Sequence, residues 1–224
     1  MTLKMIKSAL LWLTLISAAQ ASDNTIIDRI RNDNATEWVV EKNNDSYLLK
    51  YINEKGIAYD NKDLIPLDVS ESSLFIDYHK GNGVSIVIAY PRDTYEFILL
   101  SKDKPYLSSA CKEISLTSPN EEQAIENLTL CDKTVKEMDY KFSEINNQTL
   151  LKPENLFLEG KAKGVITNDK AFLLDKTGKF KNRKPYLIKG DLVEIEEYNH
   201  PFIKINYLSK GKTSSAWVLL QDVM

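Results

Sequence analysis

Apolar residues recur along this chain mostly in short runs of β-branched and aromatic residues, a pattern typical of β-strands. The clearest case is the pair of runs at residues 74–78 and 84–90, which flank the polar stretch 79–83. Glycines in this stretch adopt positive φ without strain, so the pattern predicts a β-hairpin. Runs of similar composition lie at residues 47–52, 57–59 and 95–100. The sequence therefore predicts a mainly β chain.

Two segments of the N-terminal half depart from this pattern and predict helices. Ile26, Ile27 and Ile30 have the spacing of one face of a short amphipathic helix. Residues 118–122 place a serine before a proline and two glutamates, which are N-terminal helix signals, and that helix would continue to Leu128. Helices combined with strands predict an α+β fold for this half.

The charge of the chain changes sign along its length, although the formal net charge is only −3. Residues 22–160 carry 25 acidic and 15 basic side chains, whereas residues 161–224 carry 7 acidic and 12 basic ones. We therefore predict an acidic domain over residues 22–150, a polar linker over residues 151–160 and a basic domain over residues 161–224. A basic face attracts acidic partners, and an ordinary solvated face is the alternative.

The first 21 residues have the three parts of a secretory signal peptide. Two lysines precede an apolar run at residues 8–17, and Ala19 and Ala21 form a small-x-small cleavage site. The apolar run is shorter than the roughly 20 residues that cross a bilayer. We therefore expect cleavage before Ser22, a periplasmic or secreted location, and no integral membrane segment after cleavage.

Cys111 and Cys131 are the only cysteines, and both lie in the part expected to be exported. In an oxidising compartment we expect one disulfide, which would close a loop of about 20 residues and contribute about 3 kcal/mol. A reactive or metal-binding thiol is the alternative, but His79 and His200 have no ligand spacing. We therefore expect neither a metal nor a cofactor.

The C-terminal 60 or so residues predict a small β-barrel, since short strands of this number often close on themselves. Alternation of apolar and polar residues is plain at residues 202–207, as expected for a half-buried strand. The five β-like runs lie at residues 164–167, 171–174, 192–196, 202–207 and 216–220.

This region resembles the bacterial SH3-like (SH3b) domains. Residues 186–195, Tyr-Leu-Ile-Lys-Gly-Asp-Leu-Val-Glu-Ile, resemble the lysine-glycine-aspartate segment that precedes a strand in that family. Residues 202–205, 211–213 and 217–218 resemble its aromatic-x-lysine-aliphatic strand, its distal turn and its final Trp-Val strand. The resemblance covers residues 161–224 and implies an SH3-like barrel that binds wall peptides or proteins.

Five residues of this region are candidates for ligand binding. Tyr186 and Tyr198 adjoin predicted turns, and aromatic side chains are enriched where partners bind. Lys181, Arg183 and Lys184 belong to a basic loop between two strands. The loop could contact an acidic partner or serve only to keep the domain soluble.

Recognisable catalytic motifs are missing from the sequence: there is no Gly-x-Ser-x-Gly elbow, no phosphate loop and no zinc-binding histidine pattern. We therefore expect a non-enzymatic binding protein whose partner is a protein or peptidoglycan and not a nucleic acid. One specific form is an immunity protein that neutralises a toxin directed at the wall or the membrane. The alternatives are a peptidoglycan-associated adaptor and a cell-wall hydrolase with its site in the N-terminal domain.

Overall fold

The chain is mainly β. The computed structural model describes residues 25–32, 35–43, 46–101, 103–116, 127–136 and 141–224. These residues form three antiparallel sheets, a two-stranded ribbon and five short 3-10 helices, without any α-helix. The predicted signal peptide and residues 118–126 of the second predicted helix lie outside the described residues, and the predicted last residue of that helix, Leu128, lies in a strand. Within the described ranges, no helix has the length and apolar character needed to cross a membrane.

Sixteen strands build these sheets. In chain order they are β1 (Thr25–Arg31), β2 (Glu37–Asn43), β3 (Ser46–Ile52), β4 (Ala58–Asn61), β5 (Leu74–His79), β6 (Gly83–Ala89), β7 (Asp93–Ser101), β8 (Pro105–Ser115), β9 (Asn127–Asp132), β10 (Leu156–Leu158), β11 (Ala162–Val165), β12 (Ala171–Phe172), β13 (Tyr186–Leu187), β14 (Leu192–Asn199), β15 (Phe202–Ser209) and β16 (Lys212–Leu219). The sheet orders are β1-β2-β3-β4, β10-β9-β8-β7-β6-β5 and β11-β14-β15-β16, and the ribbon pairs β12 with β13.

The predicted hairpin is confirmed as β5 and β6, which pair antiparallel along their length. Gly81 and Asn82 in the turn have φ angles of 82° and 61°. At Gly83 a Cβ atom would lie 2.4 Å from the backbone oxygen of Leu99 on the neighbouring strand β7. The close approach of the two backbones therefore requires glycine at this position.

The first hydrophobic core combines buried side chains of the first two sheets. In β3 every second residue is buried, which is the period-two pattern of a strand with one face in the core. Trp38 anchors this core: its ring centroid lies 4.7 Å from that of Tyr51 and 6.0 Å from that of Phe142. The alternating strands contribute Tyr47, Leu49 and Tyr51 from β3, and Val84, Ile86 and Ile88 from β6.

The helix predicted for residues 26–30 is wrong, because this segment is strand β1, and the α+β assignment of this half fails with it. A β-bulge between Ile26 and Asp28 leaves Ile27 as an extra residue in the pairing with β2. The bulge lets Ile27 and Ile30 both pack against the first core, although they are three residues apart. Their spacing therefore imitates the period of a helix.

The second hydrophobic core lies under the β11-β14-β15-β16 sheet and also takes side chains from the six-stranded sheet. Leu128 and Leu130 of β9 and Leu156 of β10 belong to it. The eleven-residue strand β8 reaches both cores, since Leu107 packs in the first and Ile114 in the second. The six-stranded sheet thus connects the two cores.

The closed SH3-like barrel is also a wrong prediction, because the β11-β14-β15-β16 sheet is open. The β12–β13 ribbon does not close it, and an isolated bridge from Leu174 to Trp217 connects the segment after β12 with β16. Ile114, Leu128 and Leu156 of the six-stranded sheet complete its core. Apolar surface that a barrel would bury by closure is thus buried against another sheet.

Residues 151–160, predicted as a linker, are structured. They contain the 3-10 helix Pro153–Asn155 and the strand β10. β10 pairs with β9 at the edge of the six-stranded sheet, and its first residue packs in the second core. The chain thus enters the C-terminal sheet directly from the edge of the six-stranded sheet.

The predicted disulfide between Cys111 and Cys131 is confirmed. The two residues lie directly opposite each other in the pairing of β8 with β9, with their Cα atoms 4.0 Å apart. Ile114 and Leu130, close to the bridge on the same two strands, belong to the second core. The disulfide therefore fixes the pair of strands on which the second core is built.

Removal of this bridge by the double substitution Cys111→Ala and Cys131→Ala should lower the free energy of unfolding by about 3 kcal/mol, because the loop it closes gains entropy in the unfolded chain. Urea denaturation followed by tryptophan fluorescence measures the change. Dithiothreitol should lower the midpoint of the natural chain and leave that of the double variant unchanged. Equal midpoints for the natural chain and the variant would show that the bridge does not stabilise the fold.

A buried amide ties the first sheet to the segment that follows β9. The Asn61 Nδ2 group donates hydrogen bonds to the carbonyl oxygens of Phe142 and Ile145. Its Oδ1 atom accepts from the backbone N–H groups of Asp63 and Leu64, at 3.0 and 2.8 Å. The side chain is buried, so these bonds replace contacts with water.

The substitution Asn61→Ala should destabilise the fold by about 3 kcal/mol, because it leaves buried carbonyl and N–H groups without partners. Thermal and urea denaturation measure the loss. The control is Asn199→Ala, which truncates an exposed asparagine on β14 and should change stability by less than about 0.5 kcal/mol. Similar effects of the two substitutions would contradict the structural role of Asn61.

Candidate functional site

Two aromatic rings meet on the outer face of the β12–β13 ribbon. Phe172 lies directly opposite Tyr186 in the ribbon, and their ring centroids are 6.0 Å apart at an interplanar angle of 70°. The other ribbon pair, Ala171 and Leu187, is buried in the second core. Because side chains alternate between the two faces of a strand, burial of this pair directs both rings outward.

A third ring comes from the segment between the two ribbon strands. Phe180 forms a bridge with Leu174, and its ring lies 5.6 Å from that of Phe172, edge to face. The residues of this cluster, Phe172, Phe180 and Tyr186, are 37%, 55% and 47% exposed. An exposed apolar patch can indicate an interaction site, because soluble proteins seldom display large contiguous apolar patches without a partner.

Two lysines flank the rings. The Lys170 Nζ atom lies 5.0 Å from the centroid of the Tyr186 ring, and the Lys184 Nζ atom lies 5.2 Å from that of Phe180. These are cation–π distances, and both lysines are exposed. We call these five residues the aromatic–lysine patch: Phe172, Phe180, Tyr186, Lys170 and Lys184. It combines flat apolar area with two accessible positive charges.

The predicted basic loop holds part of the patch in place. Arg183 and Lys184 have positive φ angles of 66° and 45°, which non-glycine residues seldom adopt. The Lys184 N–H donates to the Lys181 carbonyl oxygen at 3.0 Å, and the Lys181 Nζ donates to the Ser215 carbonyl oxygen at 2.9 Å. Lys181 thereby ties the loop to β16. Arg183 is exposed and has no polar partner in the described part of the chain.

Tyr198, the other tyrosine proposed from the sequence, lies in the second core and is only 8% exposed. Its hydroxyl oxygen is 3.2 Å from His200 Nδ1. Burial raises the pKa of the Tyr198 hydroxyl above its usual value, because it disfavours the phenolate form. The charge of Lys112 opposes this effect, and that of Glu154 adds to it. Its ring packs within the fold and takes no part in the aromatic–lysine patch.

A tight turn places Phe180 beside the ribbon. The Asp175 Oδ1 atom accepts hydrogen bonds from the Thr177 hydroxyl, the Thr177 N–H and the Lys179 N–H. These bonds hold the pKa of the Asp175 carboxyl below its usual value, since they stabilise the ionised form. Gly178 in this turn has a φ of 79°, and a Cβ atom there would lie 2.5 Å from the Phe202 ring.

At one place in the described residues, three side chains of types that can bind a metal ion lie close together. Cys111, Cys131 and Glu159 each offer a ligand atom within 4.8 Å of the others. The two sulfur atoms are bonded to each other, so neither is a thiolate that could bind a metal or attack a substrate. The two histidines lie apart from this group, His79 at the end of β5 and His200 in the turn between β14 and β15.

Comparison of the chain with protein-family models, curated proteins and solved structures gave no match. The resemblance of residues 161–224 to bacterial SH3-like domains therefore stays a prediction.

Sequence reasoning located part of this patch and missed the rest. Tyr186 and Lys184 were among the proposed binding residues and lie in it. Phe172, Phe180 and Lys170 were not proposed, because pairing across the ribbon and the turn at Gly178 bring them together. A usable signal was present for Phe180, which stands within the run of basic residues at 179–184.

The substitution Gly178→Ala should destabilise the chain by about 2 kcal/mol more than Gly211→Ala, because only at position 178 does the new methyl group meet a ring. Both glycines have positive φ, so the backbone strain is matched. Thermal denaturation gives the difference, and loss of nuclear Overhauser contacts between Phe172 and Phe180 reports displacement of the turn. Equal destabilisation by the two substitutions would exclude the steric contribution of Phe202.

Proposed function

We propose that this chain is an exported, non-enzymatic binding protein that recognises a protein or cell-wall ligand through the aromatic–lysine patch. The observation that carries the proposal is the exposure of three mutually packed rings on a structured part of the fold. Rings that already pack against each other lose little conformational freedom when a partner covers them. Aromatic side chains are also enriched among the residues that dominate binding energies.

The chemistry of the patch indicates what the ligand carries. Exposed rings cover apolar groups and the flat faces of sugar rings. The ammonium groups of Lys170 and Lys184 attract carboxylates, and Arg183 next to them adds a third positive charge. Peptidoglycan has both sugars and carboxylates, and an acidic apolar surface of a protein offers the same combination.

The acidic surplus of residues 22–160 supports one specific form of the proposal. An immunity protein that blocks a basic toxin site would use this negative charge for attraction at a distance. In that form the ligand is a protein. A peptidoglycan-associated adaptor would instead use the basic aromatic–lysine patch alone.

The double substitution Phe180→Ala and Tyr186→Ala should reduce ligand binding about 30-fold, the size expected when central aromatic contacts are removed. Co-sedimentation with purified peptidoglycan at low salt tests the wall ligand, and affinity capture from a cell-envelope extract tests the protein ligand. The whole chain is used, because the second core contains side chains from the six-stranded sheet. Substitution Leu208→Ala, which truncates an exposed residue on β15 outside the patch, should leave binding unchanged.

The substitutions Lys170→Gln and Lys184→Gln should weaken binding several-fold at low salt and much less at high salt, since salt screens exposed charges. The binding assays described above, repeated at both salt concentrations, measure this difference.

Retention of full binding by the Phe180→Ala and Tyr186→Ala variant would show that the patch is not the binding site. Capture of one protein at one-to-one stoichiometry would favour the immunity form, and sedimentation with peptidoglycan would favour the adaptor.

A further inference from the structure

A cleft separate from the aromatic–lysine patch lies beside the first core. It is a cleft of about 540 Å³ between the start of β7, the residues before it and the segment 147–151. This volume falls within the range of roughly 300–1,000 Å³ that small-molecule sites occupy. Ile88, Phe97 and Leu150 line it and are buried in the first core. The cleft therefore has an apolar floor built into the fold.

Two tyrosines line the same cleft. Tyr90 and Tyr95 lie on either side of the Pro91–Asp93 turn, and their ring centroids are 5.6 Å apart at 82°. Both rings pack against the first core and remain partly exposed. The faces of tyrosine rings carry the negative part of the ring quadrupole and attract cations.

The lining of the cleft is acidic. Its charged lining residues are Asp68 and Asp93. Asp93 forms an ion pair of 2.8 Å with Lys112 on β8, whereas Asp68 has no ion pair within the described residues. Among the described residues, the cleft therefore has one carboxylate without a counter-ion, that of the exposed Asp68.

The neighbouring Lys112 shows how this surface holds an ammonium group. Its Nζ atom lies 5.4 Å from the centroid of the Tyr95 ring and bonds Asp93. Burial acts to lower the pKa of Lys112, but the hydrogen bond to Asp93 and the nearby Tyr95 and Asp93 side chains outweigh it and raise the pKa. A carboxylate and a tyrosine ring at this spot thus stabilise a half-buried cation.

The pairing of Asp68 with Tyr90 repeats that arrangement without a cation. Asp68 and Tyr90 line the same cleft, so both are available to a group bound there. Burial raises the pKa of the Tyr90 hydroxyl, and the charge of Asp68 adds to this effect. Lys112 combines Asp93 with the Tyr95 ring, and the cleft offers Asp68 with the Tyr90 ring. The second pair lacks the ammonium group that the first one has.

We propose that this cleft binds an alkylammonium group, with the Asp68 carboxylate as counter-ion, the Tyr90 ring as cation–π partner and the floor of Ile88, Phe97 and Leu150 around the alkyl chain. The group belongs to a free organic amine or to a lysine side chain of a partner. The proposal is independent of the aromatic–lysine patch, whose charge has the opposite sign.

The test is a titration of the whole ¹⁵N-labelled chain with n-pentylammonium, followed by two-dimensional NMR. We expect saturable shifts of the backbone N–H signals of Asp68, Tyr90 and Asn147. The neutral analogue 1-pentanol should bind at least about fivefold more weakly and pentanoate more weakly still, because only the cation gains from the unpaired carboxylate. Equal binding of 1-pentanol, or shifts confined to other residues, would overturn the proposal.

Two substitutions separate the charge from the ring. Asp68→Asn should weaken binding of n-pentylammonium about fivefold and leave binding of 1-pentanol unchanged. Tyr90→Leu should weaken binding of the cation about threefold, as expected from loss of one exposed cation–π contact. The matched control Asp77→Asn removes an exposed carboxylate on β5 outside the cleft and should have no effect. If Asp77→Asn lowers the affinity as much as Asp68→Asn does, the loss would come from the change in net charge alone. That result would refute the site.

A lysine-containing peptide and its norleucine counterpart distinguish the sources of the group. Binding of the lysine peptide at least about tenfold more tightly than n-pentylammonium assigns the site to a protein side chain, since the flanking backbone adds contacts. Weaker binding of the peptide than of the free amine assigns the site to a small molecule. Binding of the norleucine peptide as tight as that of the lysine peptide would contradict the proposal.

Discussion

The fold depends on the strand β8, which is buried in both hydrophobic cores. Its first half contributes Leu107 and Ala110 to the first core, and its second half contributes Ile114 to the second core. A strand with two such partners cannot shift in register without exposing apolar residues of both cores. The disulfide from Cys111 to Cys131 of β9 adds a covalent constraint on β8, between the residues that belong to the first core and those that belong to the second.

This constraint explains why the C-terminal sheet is open. Side chains from β8, β9 and β10 cover the apolar face that a free-standing barrel of this size would bury by closing on itself. The β12–β13 ribbon is then free to lie at the margin of the sheet, held by the bridge from Leu174 to Trp217. Its inner pair of residues completes the core, and its outer pair presents two rings to the solvent.

The two surfaces proposed for binding use similar groups with opposite charge. In the aromatic–lysine patch, exposed rings combine with lysines that have no carboxylate partner in the described structure. In the cleft, tyrosine rings combine with carboxylates, of which Asp68 has no counter-ion among the residues that the structure describes. The acidic cleft lies in the acidic part of the chain, residues 22–160, and the basic patch lies in the basic part, residues 161–224.

The mainly β character, the β5–β6 hairpin and the disulfide could be predicted from the sequence, because each follows from local alternation, turn residues or the count of cysteines. The C-terminal strands could be predicted only in part, since β13 is not among the five predicted runs. The remaining features depend on contacts between segments that are distant in the chain. The bulge at Ile27 gave a strand the spacing of a helix, and apolar residues of β8 to β10 kept the C-terminal sheet open. Tyr186 is proposed from the sequence because it adjoins a turn, whereas the roles proposed for Phe172 and Asp68 depend on neighbours distant in sequence. Pairing and packing between distant segments carry no local signal, so a single sequence does not show them.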